Sequence, residues 1–293
     1  MDSRYLQSLI ATIEHGSIAE AARHENLTAA AISQRIQALE RELGFALLSR
    51  IAHSAKPTEA CLRLLSRARH IVREVSLLAG DIDCEGLTGS IRIGAISTAM
   101  TGLLPAALRH LTQHAPGLRP GIVPGTSRAL YQAVLDDEID AAILVAPEFE
   151  LARNLSAKNL KSEPLVLLSH TAPDAGIHAM LTSGPYIRYD PASWGGRFAE
   201  KYLKDQHLDI NALCDLDALE TIVMLVADKV GVSLVPHWSG IERLAQDCVL
   251  TPIPDTVYAR QLILLSKIQH PRPSMLDQLW LALQRGHLDA YLS

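Results

Sequence analysis

Ser17-Ile18-Ala19-Glu20-Ala21-Ala22-Arg23-His24-Glu25-Asn26-Leu27-Thr28-Ala29-Ala30-Ala31-Ile32-Ser33-Gln34-Arg35-Ile36-Gln37-Ala38-Leu39-Glu40-Arg41-Glu42-Leu43-Gly44 is the stretch that decides the fold. It reads as two helices joined by a tight turn, the second shaped to lie in a DNA groove. Ser17 with Glu20 is a capping box: the serine oxygen takes an orphan N–H, and the glutamate is expected to reach back to the serine N–H. Asn26 can leave the first helix in a left-handed conformation. Thr28 caps the second. Ile32, Ile36, Leu39 and Leu43 recur at helical spacing as a buried stripe. Ala29, Ala30, Ser33, Gln34, Arg35 and Gln37 are assigned to its polar side and its start. Small residues there let a backbone approach the duplex, and the polar ones supply donors and acceptors for base edges and phosphates. Gly44 ends the helix. Spacing alone is equally compatible with two ordinary surface helices.

The register of these residues resembles the winged helix-turn-helix of the LysR-type transcriptional regulators. Gly16-Ser17-Ile18 and Ala21-Ala22 match one block of that motif. Ser33, Ile36, Leu39-Glu40 and Leu43-Gly44 match the recognition helix. Ala29 stands where many members have glutamine, which removes a base contact, and Cys61 stands where glycine is common.

Working outward, residues 4–15 form an amphipathic helix whose Tyr5, Leu6, Leu9, Ile10 and Ile13 should pack beneath the recognition helix. Residues 50–58 read as the wing, with Arg50, His53 and Lys56 facing DNA. The family's wings are richer in arginine. Residues 1–60 carry six Lys and Arg against seven Asp and Glu. A basic footprint therefore has to come from clustering on one face, with few phosphate contacts per subunit and a multi-subunit grip.

Thr58 caps a long helix in which Cys61, Leu64, Ala68, Ile71, Val75 and Leu78 form a heptad-like seam, with Arg63, Arg67, Arg69, Arg73 and Glu74 off it. The seam is too short for an independent coiled coil. It is expected to dimerise over residues 59–79, the alternative being a helix packed on its own domain. Glycines and acids in residues 80–89 mark a hinge.

Beyond the hinge, strand and helix patterns alternate: strands at 90–95, 118–123 and 139–145, then a second unit from 165. This order implies α/β lobes around parallel strands. Gly102-Leu103-Leu104-Pro105, residues 137–143 and residues 230–236 resemble landmarks of the family's effector domain, which is similar to periplasmic binding proteins. The resemblance implies three parts. Residues 1–58 form a winged helix-turn-helix and residues 59–88 a linker and dimerisation helix. Residues 89–293 form a two-lobed effector domain, lobe I at about 89–162 and 266–293, lobe II at about 163–265.

Ligands of open α/β sheets bind beyond the carboxyl ends of strands. Ser97, Thr98, Thr126 and Ser127 fall at such places, where hydroxyls and helix N–H groups favour an anion. Helix capping alone would also account for them. Tyr189 and Trp194 are expected to wall the cleft, with Arg188 as a charge partner and Pro236 closing a strand beside it. The expected effector is a small organic anion, an aromatic carboxylate or sulfonate.

The chain has 293 residues, 48% hydrophobic and 20% charged, with a formal net charge of −5. That composition supports sizeable cores in two or three units. No apolar run long enough to span a membrane occurs, and the start lacks a signal-type apolar region, so a soluble cytoplasmic protein is expected. The four cysteines, Cys61, Cys84, Cys214 and Cys248, form no C-x-x-C pair and read as buried thiols. His110 and His114 share a helix face at a spacing that suits metals, but a solvated face is the expected reading. No catalytic constellation, metal site or cofactor is expected. The implied partners are double-stranded DNA, a small effector, further copies of the chain up to a tetramer, and RNA polymerase. The alternatives are a cytoplasmic solute-binding protein with an accessory helical domain, or an α/β enzyme.

Overall fold

The computed structural model describes residues 2–51, 54–78 and 86–292, with side chains except at 50, 51, 54, 55, 76, 77 and 286–292. His53, Cys84 and most of the expected hinge lie outside the described residues. The chain divides into two compact units near Gly86.

In the first unit, α1 (Ser3–Glu14) starts where Asp2 accepts from the Arg4 backbone N–H. Ser17 caps α2 (Ile18–His24), accepting from Glu20 N at 3.1 Å. The reciprocal half of the capping box is absent, because Glu20 Oε1 binds Arg23 Nη1 at 2.6 Å. Asn26 takes φ 53°, which lets the chain leave α2 at once. Thr28 caps α3 (Ala29–Leu43) by accepting from Ala31 N, and left-handed Gly44 ends it. Glu40 then fixes the exit, taking the N–H groups of Leu47 and Leu48 on one oxygen at 2.7 and 3.2 Å.

The wing is a hairpin of β1 (Leu48–Ile51) and β2 (Ser54–Pro57), followed by α4 (Glu59–Leu77) capped by Thr58. Leu6, Leu9, Ala21, Ile32, Ile36, Leu39 and Leu47 form the core. Cys61 and Ala68 of α4 join this core, with Leu64 and Ile71 packed at its margin. The first half of the expected dimer seam is thus spent on its own domain. Val75 and Leu78, beyond the reach of α1, are 45% and 63% exposed.

The second unit has two lobes. Lobe I holds β3 (Gly89–Ala95), α5 (Ser97–Gly102), α6 (Leu104–His114), β4 (Leu118–Pro124), α7 (Ser127–Leu135), β5 (Ala141–Val145) and β6 (Leu155–Glu163). Lobe II holds β7 (Leu165–Ser169), α8 (Ile177–Ser183), β8 (Tyr186–Tyr189), α9 (Arg197–Asp205), β9 (Ala212–Leu216), α10 (Leu219–Ala227), β10 (Ser233–Pro236), α11 (Ile241–Leu244) and β11 (Val249–Pro252). Strand β12 (Arg260–Lys267) and α12 (Pro273–Leu292) return to lobe I, where Met275, Leu276, Leu279 and Leu283 join the core of the sheet.

The lobe I sheet runs β4-β3-β5-β12-β6. Its first three strands are parallel, as the alternating pattern predicts, whereas β12 runs antiparallel to both β5 and β6. This corrects the lobe boundary: the chain has crossed back before Arg260, not at 265, because β12 already hydrogen-bonds in lobe I. Lobe II carries β10-β7-β11 and a parallel β8-β9 pair.

The lobes touch backbone to backbone at Gly102 of α5. A Cβ built there would stand 2.2 Å from the Ser239 carbonyl oxygen of lobe II, so only glycine fits. No helix among the described residues is long and apolar enough to cross a membrane.

Candidate nucleic-acid interface and interlobe cleft

Helix α3 separates its residues as the periodicity predicts. Ile32, Ile36 and Leu39 are buried, while Thr28, Ala29, Ala30, Gln34 and Gln37 are exposed and Ser33 is half-buried. Gln37 Nε2 donates to Ser33 Oγ at 3.3 Å, one turn back. Arg41, one further turn along, also lies on this exposed face, its Nε turned onto Gln37 O.

Arg35 departs from the expected polar side. Its Nη1 lies 3.1 Å from Ser8 Oγ and 3.2 Å from Glu25 Oε2, so it ties α3 to α1 and to the end of α2. Its helical position sits between the stripe and the open face, and the acceptors Ser8 and Glu25 draw it inward. In the wing, Lys56 is exposed on β2 opposite Ser49, while the Arg50 side chain lies outside the described residues.

In the second unit a cleft of about 590 Å³ opens between the lobes. Ser97, Thr98, Thr126, Ser127, Tyr189 and Trp194 all line it, as expected. Three of the hydroxyls are already engaged in the fold: Thr126 Oγ1 accepts from Ala129 N at the head of α7, Ser127 Oγ from Val145 N, and Thr98 Oγ1 from Arg260 Nη2. Trp194 meets Tyr131 and Phe149 edge-on at 5.8 and 5.5 Å between ring centroids, and of the three it is Trp194 that lines the cleft. Arg197 of α9 reaches across to the Ala146 carbonyl oxygen at 2.8 Å.

Arg188 and Pro236 are not in the cleft. Arg188 forms a forked pair with Asp215 on the neighbouring strand, at 2.7 and 3.0 Å. Strand alternation points it away from Tyr189, which faces inward. Pro236 is buried opposite Leu165 in the β10-β7 ladder.

The buried arginine of the cleft is Arg260, at the start of β12. It stands opposite Glu163 in the β12-β6 ladder, and Nε and Nη2 lie 2.8 and 2.7 Å from Glu163 Oε2. The remaining donors reach Thr98 Oγ1 of lobe I at 2.9 Å and Tyr189 OH of lobe II at 3.3 Å. Burial alone would lower the Arg260 pKa. The Glu163 carboxylate and the Tyr189 hydroxyl outweigh that cost and hold it above the usual value. Burial pushes the Tyr189 phenol up, with the arginine opposing. The sequence signal was a charged pair bracketing two apolar strands: Glu163 before Pro164-Leu165, and Arg260 opening 262–265. Asp190, Asp217 and Arg128 also line the cleft and were not anticipated.

His110 and His114 stack with centroids 3.9 Å apart, and His114 Nδ1 lies 3.0 Å from His110 O. No group of three or more His, Cys, Asp or Glu suited to a metal occurs among the described residues. Cys61, Cys214 and Cys248 are free thiols.

A helical reader domain joined to a cleft between two α/β lobes defines a ligand-responsive DNA-binding protein. Residues 3–62 match the bacterial regulatory helix-turn-helix protein model of the lysR family, and residues 85–287 match the LysR substrate binding domain. The chain belongs to the LysR family of transcriptional regulators, with an N-terminal DNA-binding domain and an effector-binding domain. It is 31% identical to the HTH-type transcriptional regulator CfxR of Cupriavidus necator, over 88% of this chain and 83% of that protein. It is 28% identical to the probable HTH-type transcriptional regulator LrrA of Synechococcus elongatus, over 89% of this chain and 86% of that one. Full-length OxyR from Pseudomonas aeruginosa shares the fold with a TM-score of 0.72 at 19% identity, covering 97% of this chain and 95% of that chain. Full-length CbnR in complex with its target DNA does so with a TM-score of 0.64 at 21% identity, covering 98% and 100%.

Proposed function

We propose that the protein reads its operator with α3, and that a small organic molecule in the interlobe cleft controls how it holds that DNA. The observation that carries the reading is the exposed face of α3 formed by Ala29, Ala30, Gln34 and Gln37, opposite a fully buried stripe. Two small residues at the helix start allow close approach to the groove. The two glutamines offer paired donor and acceptor edges to bases. Arg41 and Lys56, with Arg50 and His53 of the wing, serve phosphates.

The effector carries an acidic group that rests against Ser97, Thr98 and Thr126 of lobe I, with Tyr189 and Trp194 on the other side. The protein acts in the cytoplasm as a dimer through α4 and as a tetramer on DNA, where it meets RNA polymerase. Dimers place two copies of α3 about one helical turn apart on an interrupted palindrome. A tetramer compensates for the scarcity of basic groups in each reader domain.

A mobility shift and footprint on the DNA upstream of its own coding region tests this. Specific protection by the native chain, lost in Gln34→Ala with Gln37→Ala, is expected. Protection that survives both substitutions would remove α3 from the reader role.

A further inference from the structure

We infer that the cleft takes a small zwitterion, a molecule of the α-amino acid class carrying both a carboxylate and an ammonium group. The inference rests on the reading of the cleft as the effector site and adds the ligand's charge pattern.

The argument is one of counter-charges. Four charged side chains line the cleft: Arg128, Arg260, Asp190 and Asp217. Arg260 is not available to a ligand as a net cation. It is 2% exposed and bound to Glu163, itself 1% exposed, so the pair is electrically closed. What a ligand meets is one arginine, Arg128 on the lobe I side, against two carboxylates on the lobe II side. A plain carboxylate would enter a cleft that is net negative. Part of the water that would screen the repulsion is displaced there.

The carboxylates are placed together by the fold. Asp190 and Asp217 directly follow β8 and β9, parallel neighbours in which Tyr189 pairs with Leu216. The Asp190 N–H donates to Leu216 O at 2.9 Å, which locks the two strand ends side by side. Asp190 Oδ1 accepts from Ala192 N at 2.9 Å. Among the described residues no donor meets Asp190 Oδ2 or the Asp217 carboxylate. Two acceptors at the carboxyl ends of parallel strands fit an ammonium group, which has three donors and no acceptor. A metal ion is a poorer fit, since no third His, Cys, Asp or Glu completes a ligand set among the described residues.

The opposite wall, with Arg128 and the hydroxyls of Ser97 and Thr126, suits the ligand carboxylate. Met100, Leu219 and Trp194 add apolar lining to the same cleft, which suits the ligand's side chain. The volume of about 590 Å³ is in the range of small-molecule sites.

The test is calorimetric titration of the full-length chain with the twenty L-amino acids. It is followed, for each binder, by the matched acid without the amino group and the matched amine without the carboxylate. At least one amino acid should bind, and removing either charged group should weaken binding about tenfold or more. Asp217→Asn removes an exposed carboxylate with no hydrogen bond, so the fold should stand. In that variant Asp190 remains, so the advantage of the amino acid over its deaminated acid should shrink severalfold. If deaminated acids bind the native chain as well as their parents do, or no amino acid binds, the zwitterion is overturned. Acids that bind and also change the mobility shift would leave the effector reading intact. Amino acids that bind without changing the DNA complex would sink that reading and keep this one.

Discussion

Arg35 Nη1 lies 3.2 Å from Glu25 Oε2, and this ion pair, 23% and 9% exposed at its side chains, fastens α3 to the end of α2. The arginine is therefore part of what sets the angle between the two helices of the reader. Arg35→Ala takes the cation from a mostly buried carboxylate, which keeps the Ser8 hydroxyl as a donor at 2.9 Å, and leaves Ser8 Oγ without the hydrogen bond it accepts. It should cost about 1–3 kcal/mol of stability. Urea unfolding of the native chain and the variant measures it; an unchanged midpoint would contradict the role.

Gln34 and Gln37 sit on the open face, so their loss should be felt only on DNA. Each change to alanine should weaken specific binding by about 1–3 kcal/mol and leave thermal stability alone. Competition against unrelated DNA separates the two effects, because phosphate contacts weaken both equally.

Arg260 and Glu163 form a closed buried pair. Removing one partner, as in Arg260→Met, should destabilise the second unit by about 3–5 kcal/mol, since Glu163 is then buried alone. Arg260→Met combined with Glu163→Leu should recover most of that loss. Scanning calorimetry on the three chains decides the matter, and a double variant no better than the single one would refute it.

Val75 and Leu78 continue the α4 seam after its own domain has stopped covering it. Replacing both by glutamate should shift the chain toward monomer in sedimentation experiments without unfolding it. The same replacement at Leu62, 56% exposed but off the seam, should change the assembly little.

The Cys61 thiol is buried in the reader core. Burial, and secondarily the Glu40 carboxylate, push its pKa from 9.0 up to about 11. The unfolded thiol ionises first, so the stabilisation is intact below pH 9 and is lost as the pH climbs toward 11. The loss should reach about 2–3 kcal/mol. At pH 8 an alkylating reagent should label Cys61 only through unfolding, and rapid labelling of the native chain would contradict this.

The reader domain was legible because its signals are local. Ser17, Asn26, Thr28 and Gly44 each act within one turn of their own backbone, and the stripe of Ile32, Ile36 and Leu39 needs only helical periodicity. Arg35 was misplaced because its partners, Ser8 and Glu25, are set by how three helices pack. The cleft followed the same division. Strand-end hydroxyls such as Ser97 and Thr126 could be placed from strand order. Arg188 and Arg260 could not be told apart, since one lies on the outer side of β8 and the other faces a partner 97 residues away. Strand β6 escaped notice because polar residues interrupt it, with only Leu155 and Glu163 of its nine fully buried. The second half of α4 stands apart: its seam is visible in sequence, and its exposure in the single chain is what a second copy would cover.

The contact of Gly102 with the Ser239 carbonyl makes the missing methyl group a mechanical stop. A single added carbon there would act as a wedge, prying the lobes apart at that edge whatever the cleft contains. Such a variant would make an unresponsive switch out of a responsive one by geometry alone, without changing any side chain that lines the cleft.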